Sequence, residues 1–148
     1  MPEIFGLPAH PFLIHFPIVA IPTVTILAFI AVARSSFRER YGLPIFALTV
    51  VSTVSAILAV WSGQALSETY TNTDFLAQHR STGEALRLIM IGLSVAIGGL
   101  LVADRRRDTD GGTDPLTLLT SVAVLVLAIL STIWTIRTGH EGARLRWG

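Results

Sequence analysis

The sequence predicts an all-α integral membrane four-helix bundle with antiparallel neighbours, and three observations carry that expectation. The chain is 51% hydrophobic and only 14% charged over 148 residues, whereas a soluble domain carries about a quarter of its residues as charged side chains. Four apolar runs are each long enough to supply the roughly 20 helical residues that cross a hydrocarbon core. None of the runs alternates polar with apolar residues, and a barrel would need many more strands of about ten residues each.

The runs define the elements in order. From Pro11 to Ala33 no charged residue intervenes before Arg34, which gives a first helix over about residues 11–34. Pro44 to Leu66 gives a second, over about 44–66. Leu88 to Ala103 anchors a third, over about 78–103, preceded by the polar start Gln78-His79-Arg80-Ser81-Thr82-Gly83-Glu84. Pro115 to Ile136 continues into Arg137-Thr138-Gly139-His140 as a fourth, over about 115–140. Ser35–Leu43 and Asp104–Asp114, the latter with a Gly111-Gly112 pair, read as short links, which make successive helices antiparallel neighbours. The longer polar loop Ser67–Gln78 falls on the other side. The whole chain reads as one transmembrane domain, with no internal repeat clear enough to argue from. The N-terminal MPEIFGLPAH lacks a basic region, and the apolar run after it is too long for a signal-peptide core, so that run reads as a retained helix.

Orientation is read from arginines in short loops. Arg34, Arg38, Arg40, Arg105, Arg106 and Arg107 lie on the two short links, six of the chain's eleven basic residues. Arg80, Arg87, Arg137, Arg144 and Arg146 lie on the other side. Arg80, Arg87 and Arg137 sit beside a polar cluster that gives them a local role. Discounting them makes the short links cytoplasmic and both termini external. No basic stripe of the kind that tracks nucleic acid is present. The chain has no cysteine, which excludes disulfides, thiolate metal sites, iron–sulfur ligation and covalent c-type haem. No nucleophile constellation, paired carboxylate or phosphate loop supports hydrolase or kinase chemistry.

All four histidines fall near one membrane face. His10 and His15 start the first helix, His79 starts the third and His140 ends the fourth, and alternating helix directions bring these ends together. Ionisable groups near a bilayer are costly and usually functional. Imidazole is a common ligand for transition metals and for haem iron, which takes one His above and one below its plane. His10 and His15 are five residues apart, about 7.5 Å along the axis and about 140° around it, so they cannot both hold one ion. That spacing favours two centres at different depths. Gly63, Gly83 and Gly139 allow close backbone approach to a flat macrocycle, and Gly142 also flanks His140. Arg80, Arg87 and Arg137 suit haem propionates, Phe12, Phe16, Trp61 and Trp134 could pack the ring, and Glu84 and Glu141 could orient a histidine. The bland alternative is that His, Trp and Arg at an interface anchor the helices, and that Gly serves helix packing.

Two segments carry a resemblance to a known family. His10-Pro11-Phe12-Leu13-Ile14-His15-Phe16-Pro17 and Thr138-Gly139-His140-Glu141-Gly142-Ala143 resemble the end signatures of the bacterial membrane proteins grouped as domain of unknown function 2231. The resemblance covers essentially the whole chain and implies four helices with a histidine at the start of the third. Some relatives are fused to Rieske-type iron–sulfur domains, which implies an electron-transfer setting in the bacterial plasma membrane. This chain has no Cys, so any such redox partner is separate.

The expectation is therefore a b-type haem membrane cytochrome. It holds two bis-histidine haems near the external face, with His10, His15, His79 and His140 as axial ligands, and one haem with two remaining histidines is also consistent. It exchanges electrons with a quinone pool or a separate Rieske-type or cytochrome partner, as a quinol-linked oxidoreductase and with homo-oligomer formation open. The rivals are a non-haem transition-metal binding or transport protein and a cofactor-free structural or assembly subunit.

Overall fold

A computed structural model describes residues 3–67, 74–106 and 114–147. Arg107 and the Gly111-Gly112 pair of the expected second link lie outside the described residues. The order is β1 (Glu3–Ile4), β2 (Leu7–Pro8), α1 (Ala9–Ala33), α2 (Ser35–Ser67), α3 (Asp74–Arg106) and α4 (Pro115–Trp147). All four helices are long and apolar enough to cross a membrane. The latter three each have 33 residues, about 50 Å of helix, against a hydrocarbon core of about 30 Å. Their ends therefore stand outside the apolar layer.

Only Arg34 separates α1 from α2. The stretch Ser35–Leu43, expected as a link, is the start of α2, and Arg38 N–H already bonds to the Arg34 carbonyl at 3.1 Å. Hydropathy finds where a helix crosses hydrocarbon, not where its backbone ladder stops, so the polar first turns were invisible to it. Before α1, β1 and β2 form a minimal antiparallel hairpin with Ile4 opposite Leu7. Its two central residues, Phe5 (φ 54) and Gly6 (φ 75), both have positive φ, as a type I′ turn requires.

The helices pack in cyclic order, each against its two neighbours. Ile21, Val24, Ala28, Met90, Leu93, Val124 and Ala128 form the core. Val19, Val95, Leu119 and Ile136 are exposed on the outer surface. Inside and outside are thus both apolar, as expected where lipid replaces water and packing replaces the hydrophobic drive.

At the end of the bundle bearing Arg34, Arg38 is 5% exposed. Its guanidinium donates through Nε and Nη2 to the two Asp104 oxygens, and through Nη1 to the Ala31 carbonyl at 2.7 Å. One side chain thus ties α2 to α3 and to the last turns of α1. Arg38, counted above as a topological charge, is a buried half of a bidentate pair.

The two hairpins share a pattern. Advancing along α1 by the His10–His79 interval takes the buried Ile21, Val24, Ala28 and Ala31 to the buried Met90, Leu93, Ile97 and Leu100. Advancing along α2 by the Gly63–Gly142 interval takes the buried Ile45, Thr49 and Ser52 to Val124, Ala128 and Ser131, also buried. The same intervals convert the Thr25–Thr132 hydroxyl pair (2.8 Å) into the Ser94–Thr53 pair (2.9 Å). The bundle is an approximate two-fold repeat of a helical hairpin, with both copies running in the same direction.

Candidate functional site

His10 lies in the first turn of α1, where the following Pro11 removes a backbone donor that had no helical acceptor anyway. Its ring crosses to α2. Nδ1 is 2.9 Å from the Ala59 carbonyl and 3.2 Å from Ser62 Oγ. A carbonyl only accepts, so in the neutral ring Nδ1 carries the proton and Nε2 keeps its lone pair. The ring rests on Gly63, where a Cβ would stand 2.9 Å from Cε1. No larger residue fits unless His10 moves.

His79, near the start of α3, repeats this arrangement on α4. Its ring rests on Gly142, where a Cβ would stand 3.2 Å from Cε1. The Thr138 backbone occupies the place of Ala59 and lies beside Nδ1, but outside hydrogen-bonding geometry, so Nδ1 is buried without a partner. The Thr138 hydroxyl is likewise buried and unpartnered. Glu141, at the position equivalent to Ser62, accepts from Gln78 Nε2 (3.2 Å), Thr82 Oγ1 and Arg137 Nε (3.1 Å).

The two rings meet inside the end of the bundle. Their centroids are 6.3 Å apart and their planes cross at 84°. Among the described residues this is the one contact between histidine rings.

The other expected residues are placed elsewhere. His15 is exposed, and its Nδ1 donates to the Pro11 carbonyl of its own helix. His140 is exposed on α4. Of four histidines the fold brings two together and leaves two outside. Arg137 pairs with Glu141. Arg80 is exposed and Arg87 half-buried, and neither forms an ion pair among the described residues. Gly63 accommodates the His10 ring itself, a Cβ at Gly83 would meet only Val60 Cγ2 at 3.6 Å, and nothing lies within 4 Å of a Cβ at Gly139. Glu84, also a candidate orienting group, accepts from Gln64 Nε2 at 3.0 Å. Sequence reasoning missed the Ala59 carbonyl, Ser62 and Thr138. The shared signal was a small or hydroxylic residue four places before a glycine at both helix ends, Ala59 before Gly63 and Thr138 before Gly142, legible only once the repeat is known.

Two imidazoles with ring centres 6.3 Å apart are two candidate nitrogen donors for a metal. They do not by themselves enclose a bare ion, because no group of three or more His, Cys, Asp or Glu capable of holding one exists among the described residues.

Comparison with known proteins bears on the family alone. No curated protein and no solved structure matches the chain. The predicted membrane protein family called domain of unknown function 2231 matches residues 6–148. With nearly its whole length matched, the chain belongs to that family.

Proposed function

We propose that the chain is a membrane cytochrome that holds a single b-type haem between His10 and His79 and passes electrons at that end of the bundle. The observation behind this reading is the 6.3 Å ring separation. A metal–imidazole bond is about 2.0–2.1 Å, and the ring centre lies about 1.1 Å behind its nitrogen, so two imidazoles in line on one metal have centroids about 6.3 Å apart.

The donor set agrees. A porphyrin supplies four equatorial nitrogens and needs two axial ligands from the protein, whereas a structural zinc ion needs about four protein ligands. Two imidazoles that form no group of three or more His, Cys, Asp or Glu among the described residues suit the first and not the second. The protein's part is to fix the ligands. The Ala59 carbonyl holds His10 Nδ1–H, which sets the tautomer and leaves Nε2 basic. Gly63 and Gly142 let each ring come up against the neighbouring helix. The bound haem would supply one-electron redox chemistry. Arg80, Arg87 and Arg137 remain the candidate propionate partners, Arg137 by exchange from Glu141.

In this reading the haem-bearing end and both termini are external, the membrane is the bacterial plasma membrane, and the partners are a quinone and a separate redox protein. The test is haem content per chain with an oxidised and a dithionite-reduced spectrum. One haem with a sharp reduced α band is expected. No Soret absorption after haem-supplemented expression would overturn the reading, and bound Zn or Cu without porphyrin would favour the non-haem rival.

A further inference from the structure

His15 stands on the outer surface of a membrane-spanning helix. Phe12, His15, Phe16 and Val19 have the spacing of one helical face, and all are exposed, Phe12 by 47%, Phe16 by 46% and Val19 by 69%. A face that meets only lipid has no use for an imidazole, and ionisable groups in membrane helices usually mark function. The tautomer of the neutral ring is also set. Nδ1 donates to the Pro11 carbonyl, so neutral His15 presents Nε2 outward as a bare acceptor with no partner among the described residues. Its counterpart in the second hairpin, Glu84, is half-buried and takes the Gln64 amide. The outward acceptor therefore belongs to one half of the repeat only.

We infer that His15, flanked by Phe12 and Phe16, is a binding site for a lipid-soluble quinol, with His15 Nε2 accepting a hydrogen bond from a quinol hydroxyl. The ligand must arrive through the bilayer, offer a hydroxyl donor and present an aromatic ring to the two phenyl rings. His15 is about 1.4 turns along α1 from His10, about 7.5 Å along the axis and about 140° around it, which sets such a ring on the lipid side of the helix that carries one ligand of the proposed centre. The choice of a redox-active ligand rests on the cytochrome reading, whereas the hydrogen-bonding site does not.

The test measures binding of decylubiquinol to the full chain in nanodiscs kept reduced with dithionite, with empty nanodiscs as background. His15→Ala should weaken binding about five- to tenfold, the size of one hydrogen bond, with the Soret band unchanged. His15→Gln, which keeps an acceptor, should recover most of the loss. The dimethyl ether of the quinol, which has no hydroxyl, should bind the parent as weakly as the quinol binds His15→Ala. Equal affinity of parent and His15→Ala overturns the inference, as does loss of the Soret band in His15→Ala, which would make His15 a ligand. A haem-free protein with His15-dependent binding supports the site and defeats the cytochrome reading. A haem protein with His15-independent binding does the reverse.

Discussion

His10 and His79 sit at equivalent points of two repeated hairpins and meet ring to ring, 6.3 Å apart and nearly perpendicular. Each is set by the helix that follows it in the chain. A glycine supplies the floor, and the backbone one turn before that glycine lies beside Nδ1. Because the same device acts twice around an approximate two-fold, the point midway between the rings falls on the bundle axis. A centre placed there is shared equally by both halves.

The glycine floors should differ in tolerance. Gly63→Ala puts a methyl group 2.9 Å from His10 Cε1, and Gly142→Ala one 3.2 Å from His79 Cε1. Overpacking of this kind costs about 1–3 kcal/mol. Both variants should lose haem affinity and melt lower, Gly63→Ala more so. Gly139→Ala meets open space and should melt at or above the parent temperature, since Ala is the better helix former by about 1 kcal/mol. Thermal melting with haem titration checks the order.

Asp104 keeps Arg38 neutralised inside the protein. Removing one partner of a buried pair costs about 3–5 kcal/mol, because the other charge is left uncompensated. Asp104→Ala should therefore be strongly destabilised in detergent unfolding. The double variant Arg38→Met, Asp104→Leu should recover much of the loss. Equal stability of Asp104→Ala and the parent would show that the pair does not hold α2 to α3.

Thr138 buries a hydroxyl with no partner. Replacing it with the isosteric apolar side chain removes an unsatisfied group worth about 1–3 kcal/mol. Thr138→Val should be as stable as the parent or more so. A clear loss of stability would mean that a bound water or ligand links Thr138 Oγ1 to His79 Nδ1.

The seams between hairpins carry the symmetric hydroxyl pairs Thr25–Thr132 and Thr53–Ser94. Hydrogen bonds between membrane helices average about 0.6 kcal/mol in double-mutant cycles. Cycles through Thr25→Val/Thr132→Val and Thr53→Val/Ser94→Ala should give couplings of that size and nearly equal to each other. Couplings of opposite sign would break the equivalence of the two seams.

The membrane spans were legible because hydrocarbon thickness sets a length that apolar runs report directly. The gathering of histidines at one end was legible from helix alternation. Which two face each other was not, because it depends on rotation about each helix. His10 and His15 are about 140° apart, and only the packing of α1 on α2 shows that His10 is the inner one. The repeat was hidden because Ile21 and Met90, or Thr25 and Ser94, share burial and chemistry without identity. Arg38 read as a surface charge because its partner Asp104 lies far along the chain, and their meeting requires α2 beside α3.

In the proposed cytochrome, His10 and His79, and no other histidines, form one centre. The most direct measurement is the reduced and oxidised visible spectrum of four single variants, His10→Ala, His15→Ala, His79→Ala and His140→Ala, with haem quantified per chain. Loss of the six-coordinate low-spin spectrum is expected in the His10 and His79 variants, and an unchanged spectrum and haem content in the other two. A low-spin spectrum that survives His10→Ala or His79→Ala, or one that is lost in His15→Ala or His140→Ala, would contradict that assignment.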